Sequence, residues 1–120
     1  MKKTLLLTTL LLLTGGVVGC APSQHYVEYQ GRQEAKVKNC ALDVYTQGLE
    51  LHKKTQVIGE MQIVDTGFSV NCDAETVMKQ IKAKACEEGA EAIHLYDIRH
   101  PSLSGSTCFQ ANARFLIYQK

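Results

Sequence analysis

A chain of 120 residues, with 13 Lys and Arg against 12 Asp and Glu and a formal net charge of +1, has room for one domain with a modest core. The near-neutral balance, without any basic stripe, argues against nucleic acid as a partner. Nothing repeats internally, and after the first twenty residues no hydrophobic run is long enough to span a membrane.

The chain opens MKKTLLLTTLLLLTGGVVGC. Lys2 and Lys3 give a positive start, residues 5–13 form an apolar core broken only by Thr8 and Thr9, and Gly15 and Gly16 loosen the chain ahead of Val17. That is the layout of a secretory signal over residues 1–19. The apolar stretch is too short, and wrongly flanked, for a permanent membrane helix of about 20 residues. Its ending, Val17-Val18-Gly19-Cys20, resembles the lipobox of bacterial lipoproteins. The resemblance implies cleavage after Gly19 and covalent lipid on Cys20, with no other cofactor expected. Several acyl chains, at about 0.8 kcal/mol per buried methylene, make a durable anchor. Ala21 stands where an Asp would imply retention at the inner membrane, so the same resemblance points to the outer membrane, facing either the periplasm or the exterior. Removing Lys2 and Lys3 leaves eleven basic against twelve acidic residues in the mature chain.

Residues 20–39 read as a lipidated N-terminus and tether. They are polar, carry Pro22, Gln24, Gln30, Gly31 and Gln33, and lack a sustained apolar period, although Tyr26, Val27, Tyr29 and Val37 offer local docking points. The folded domain is expected over 40–120. Residues 40–46 read as a strand with Leu42 and Val44 on one face. A Gly-containing connection over 47–54 leads to a second strand at 55–64, with Val57, Met61 and Ile63 on one side. Gly67 and Asn71 mark a loop.

Residues 73–88 form the clearest helix. Asp73 is placed to cap it, and Glu75 suits the positive end of the dipole. Ala74, Val77, Met78, Ile81 and Ala85 recur at spacings of three and four as one apolar stripe, with Lys79, Lys82, Lys84 and Glu87 mostly off it, and Gly89 is a natural stop. Residues 91–99 come next as a strand, and Pro101 and Gly105 supply turn chemistry to the loop at 100–107. In the last strand Phe109, Ala111, Ala113, Phe115 and Ile117 alternate with Gln110, Asn112, Arg114, Leu116 and Tyr118, giving one buried face. The expected fold is α+β in the order β-β-α-β-β: a four-stranded sheet with one helix packed on one face, braced by disulfides. A single short helix leaves much of the second face open to a partner or to the tether.

With Cys20 committed to lipid, Cys40, Cys72, Cys86 and Cys108 remain, an even number in an oxidising compartment. Three pairings are possible. The preferred one joins Cys72 to Cys108, tying the loop before the helix to the start of the last strand, and Cys40 to Cys86, tying the first strand to the late helix. Each bridge contributes roughly 3–4 kcal/mol by chain entropy. No C-x-x-C and no H-x-x-x-H spacing joins these thiols to His52, His94 or His100, so no metal site is expected.

The runs VIGEMQIVDTGFSVNC, AKACEEGAEAIHLYDIR and TCFQANARFLIY together resemble the folded domain of the RcsF-like lipoproteins, outer-membrane sensors of envelope stress in enteric bacteria. Gly59-Glu60-Met61, Cys72, residues 90–95 and Cys108 carry the likeness, which covers roughly 42–118. The Gly89-Ala90 turn is also similar to the broader YbjQ-like shape. The resemblance implies a bridge between Cys72 and Cys108. The family's second bridge would need cysteines near Ile98 and Arg114, where this chain has none, and the proline-rich stretch of the family's tether is missing too.

Catalytic motifs are lacking: the chain shows no G-x-S-x-G elbow, no P-loop and no H-E-x-x-H. Ser102, Ser104 and Ser106 read as turn residues and His94 as a packed strand residue. Asp97, Arg99 and His100 read as a solvated rim, and Glu60 as pointing out of the sheet. The expected function is therefore non-enzymatic: an envelope lipoprotein whose domain binds another envelope protein, in stress sensing or envelope maintenance. Its candidate surfaces are the helix's polar side (Lys79, Lys82, Lys84), the uncovered sheet face (Glu60, Gln62, Arg114) and the 100–107 loop. The alternatives are a thiol- or metal-dependent envelope protein and a surface-exposed structural or host-facing lipoprotein.

Overall fold

A computed structural model describes residues 23–46, 53–65 and 71–120. The leader at 1–19, the acylation candidate Cys20, most of the 47–54 connection and Gly67 lie outside the described residues. The elements in chain order are β1 (Ser23–Glu28), β2 (Asp43–Tyr45), β3 (Thr55–Val64), α1 (Ala74–Glu87), β4 (Ala92–Arg99) and β5 (Gln110–Tyr118). The strands form one mixed sheet in the spatial order β1-β3-β5-β4-β2. β5 lies antiparallel between β3 and β4, so β3-α1-β4 is a βαβ crossover split by the last strand. β2 adds in parallel to the outer edge of β4.

The α+β class and, among the described residues, the single helix agree with the sequence; the strand count does not. β1 forms inside the segment expected to be a tether and pairs with β3 from Ser23 opposite Val64 to Glu28 opposite Gly59. An edge strand draws its stability from a ladder to one neighbour and can remain largely exposed, so it leaves no apolar period to read. The expected first strand is reduced to the three residues of β2.

Tyr26 is the side chain that locks β1 to the core. Its ring lies 5.6 Å from that of Phe115 and crosses the backbone of Gly59. A Cβ at position 59 would overlap the Tyr26 hydroxyl and come within 2.6 Å of its Cζ, so any side chain there would displace the Tyr26 ring. Past β1 the chain runs along the helix. Arg32 Nε meets the Glu88 carboxylate at 2.8 Å, the Lys36 N–H donates to the Cys86 carbonyl at 2.8 Å, and Cys40 is bridged to Cys86. Of the supposed tether, residues 23–39 are thus tied to the sheet and the helix.

α1 buries Val77, Ile81, Ala85 and Cys86, while Ala74 is exposed and Met78 half-buried. Asp73 stands at the N-cap in extended conformation, as expected, and hydrogen bonding to Thr76 holds its carboxyl below the ordinary range. The C-terminus closes as a Schellman motif: the Ala90 N–H donates to Ala85 and the Gly89 N–H to Cys86. Gly89 has φ +77°, and the backbone at Gln33 and Glu34 packs against it, so a side chain there meets both strain and a clash. Under the helix lie Ile58, Met61 and Ile63 of β3, Ile93 and Leu95 of β4, and Ala111, Ala113 and Phe115 of β5. Ile58, rather than the expected Val57, is in this core because a bulge between Val57 and Gly59 shifts the strand's phase by one residue.

Both bridges form in the preferred pairing, Cys40–Cys86 with Cα atoms 5.9 Å apart and Cys72–Cys108 with Cα atoms 5.0 Å apart. Their separations of 46 and 36 residues correspond to about 4 kcal/mol each by loop-closure entropy.

Candidate interaction surfaces

The sheet face turned away from α1 carries most of the polar aromatic chemistry. At its centre Glu60 of β3 stands directly opposite Arg114 of β5. One Glu60 carboxylate oxygen accepts the Tyr29 hydroxyl; the other accepts the Tyr96 hydroxyl at 2.9 Å and Arg114 Nε at 3.0 Å. The Arg114 guanidinium also lies over the Tyr96 ring, 4.2 Å from its centroid. These donors hold the Glu60 carboxyl below its ordinary range, chiefly through the Tyr29 hydrogen bond and against the opposing effect of desolvation. Burial, then the bond to Glu60, pushes the Tyr96 hydroxyl up.

A second cluster sits at the β2 edge. The Tyr118 hydroxyl donates to the Asp43 carboxylate and shares a 2.9 Å hydrogen bond with the Tyr45 hydroxyl, while the Lys53 ammonium lies 4.7 Å from the Tyr118 ring centroid. Burial first, then the Asp43 bond, raises the Tyr118 pKa. Half-buried His94 lies between the clusters, paired with Tyr45 on one side and Arg114 on the other. Ala92 and its cross-strand partner Leu116 lie on the same side of the sheet but are almost fully buried. Of the five tyrosines in the chain, Tyr29, Tyr45, Tyr96 and Tyr118 belong to this face, and Tyr26 to the other.

Of the residues read from sequence, Glu60 and Arg114 are thus in direct contact, and Gln62 is one pair further along, exposed between His25 and Asn112. Sequence reasoning misses the tyrosines and Asp43 as site residues. Strand alternation already places Tyr118 with Arg114, and the same rule sets Tyr96 two residues beyond His94. Tyr29 and Tyr45 carry no such signal, since the one comes after an unrecognised edge strand and the other ends a three-residue strand.

The helix lysines divide. Lys79 and Lys82 border a groove of about 520 Å³ beside the Cys40–Cys86 bridge, with Lys38 on the opposing segment. Lys84 lies elsewhere: its ammonium meets the buried Glu88 carboxylate at 2.9 Å and lies 4.7 Å from the Tyr26 ring centroid. The Glu88 bond is the main cause that raises the Lys84 pKa. Lys84 thus braces the N-terminal segment from the covered side of the sheet.

In the loop, Ser102 and Ser106 act as turn residues. The Gly105 N–H donates to Ser102 Oγ at 3.1 Å, the Cys108 N–H to Ser106 Oγ at 3.0 Å, and Ser106 Oγ to the Asp65 carboxylate. Among the described residues no group of three or more His, Cys, Asp or Glu side chains is placed to hold a metal ion, and no helix is long and apolar enough to cross a membrane.

No family model and no curated protein matches the chain. Among solved structures it is similar to the crystal structure of the Francisella virulence factor FvfA, at 16% identity and a TM-score of 0.51. The match covers 80% of this chain and 97% of that one, and it is a likeness of fold.

Proposed function

We propose that this chain is a bacterial envelope lipoprotein, held on the outer membrane by lipid on Cys20, whose domain is a non-enzymatic module that binds another envelope protein through the helix-free face of its sheet. The observation that carries the reading is the array of Tyr29, Tyr96, Tyr118 and Arg114 on that face, pre-ordered by Glu60 and Asp43. Tyrosine and arginine dominate binding energy at protein interfaces because each brings apolar area and a polar tip. Side chains already fixed by hydrogen bonds lose less entropy on docking. The compartment rests on the sequence: the lipobox-like Val-Val-Gly-Cys and the even set of remaining cysteines, which suits an oxidising space. The RcsF-like resemblance supports a role in envelope stress sensing or maintenance, and the Cys72–Cys108 bridge is the one that the resemblance implies.

Photo-crosslinking in intact cells tests this, with the probe at Gln62 on the open face or at Lys82 on the helix. A discrete envelope protein captured from Gln62 and lost in Arg114→Ala is the expected result. Capture from Lys82 alone would move the site to the lysine groove. Cys20→Ser is expected to release the protein from membranes, and continued membrane retention would defeat the anchor.

A further inference from the structure

The proposed anchor and the fold together determine which end of the domain meets the membrane. Only Ala21 and Pro22 separate Cys20 from the first residue of β1. Three residue steps reach at most about 11 Å when fully extended, so an acylated Cys20 at the headgroup level holds Ser23 close to the bilayer. Ser23 pairs with Val64 at the end of β3, Ile63 pairs with Ala111 near the start of β5, and Gln110 pairs with Arg99 at the end of β4. The chain linking β4 to β5 therefore leaves the sheet at the same end at which β1 begins. With about 4.8 Å between neighbouring strands, it does so roughly 15 Å from Ser23.

That link carries Leu103, whose relative exposure is 103%. Isolated exposed leucines are ordinary on protein surfaces. This one is distinguished by its position beside the anchor and by the bracing of its loop. The Ser102 N–H donates to the Ser106 carbonyl at 2.9 Å, Ser106 is tied to Asp65, and the exit is fixed by the Cys72–Cys108 bridge and by the Phe109 N–H donating to the Cys72 carbonyl at 2.8 Å. The loop is held outward, with an apolar tip in water. Exposed Arg99 stands at its base, where its guanidinium meets lipid phosphate.

We infer that the 100–107 loop is a second membrane contact, with Leu103 inserted at the headgroup–acyl boundary of the bilayer that holds Cys20. The domain then stands end-on, with its strands rising from the membrane and its open sheet face turned sideways toward protein partners. This inference rests on the lipid-anchor reading.

The chain contains no tryptophan, so Leu103→Trp introduces a single fluorescent reporter at an exposed site. The acylated mature protein is placed on vesicles of phosphatidylethanolamine and phosphatidylglycerol with brominated acyl chains. Blue-shifted emission and about twofold quenching are expected, as for a side chain in the interface. Gln119→Trp, exposed at the opposite end of β5, is expected to stay unquenched. Water-like, unquenched emission from Leu103→Trp on protein that floats with the vesicles overturns the inference and leaves the anchor standing. Equal quenching at both positions overturns the end-on placement. A mature chain whose Cys20 carries no acyl group by mass spectrometry overturns the anchor and this contact with it.

Discussion

The two faces of the sheet are built from the same strands by the same alternation, yet they hold their side chains by different means. Toward α1, Phe115, Met61, Ile63, Ile93 and Ala113 are excluded from water, and apolar burial supplies the stabilisation. Away from it, Glu60, Arg114, Tyr96 and Tyr118 remain partly wet and are ordered by hydrogen bonds. Each face also contains an ion pair, which makes the contrast measurable with similar chemistry. Glu88 on the covered side is 3% exposed, whereas the Glu60–Arg114 pair is 24% and 41% exposed. A face that spends its polar groups on fixing its own tyrosines adds little to stability and is free to be used for binding.

The largest effect should come from the covered face. Phe115→Ala removes the largest fully buried side chain among the described residues and the ring against Tyr26, and is expected to cost about 4 kcal/mol in urea unfolding. A loss below about 1 kcal/mol would mean that the two faces differ far less than their burial implies. Lys84→Ala comes next, at about 2 kcal/mol, since it leaves the buried Glu88 carboxylate with Arg32 alone. Arg114→Ala, the matching deletion on the open face, is expected to cost under about 1 kcal/mol. Equal losses in these two variants would break the comparison.

Hydroxyl deletion on the open face has an effect of the same order. Tyr118→Phe removes the bonds to Asp43 and Tyr45 and is expected to lower stability by about 1 kcal/mol. Because β2 has only three residues, the loss should concentrate there. Hydrogen exchange is therefore expected to quicken at Asp43–Tyr45 and to stay unchanged in β3.

The covered face is the more legible in the sequence, for a physical reason. Val77, Ile81 and Ala85 in the helix, and Ala111, Ala113 and Phe115 in the last strand, recur at the periods that burial demands, so pattern alone locates them. Ile58 escapes because a bulge changes the phase mid-strand. β1 escapes because an edge strand with one core contact, Tyr26, needs hardly any apolar residues. The Tyr29–Glu60–Tyr96 cluster escapes because it joins residues 31 and 36 positions apart, and hydrogen bonding across strands imposes no period on the chain. Glu60 and Arg114 are readable as outward-facing; their tyrosine partners become visible only once the strand order is known.

The smallest expected effect at neutral pH belongs to Glu60→Gln, and its value lies in its pH dependence. The folded-state pKa of Glu60 is lowered, so its contribution to stability is fully present above the ordinary carboxylate value of 4.5 and is lost as pH falls through the lower folded value. Near pH 7 the glutamine offers one acceptor oxygen where Glu60 offers two and loses the charge attraction to Arg114, so the denaturation midpoint should fall slightly. Below about pH 4.5 the wild-type protein is expected to lose stability faster than the variant, and the two curves should converge once the carboxyl is protonated. Parallel curves across that range would mean that Tyr29, Tyr96 and Arg114 do not favour the ionised carboxylate in solution. The open face would then lose the electrostatic centre that orders its aromatic side chains, and the tyrosines would have to be fixed by a partner rather than in advance of one.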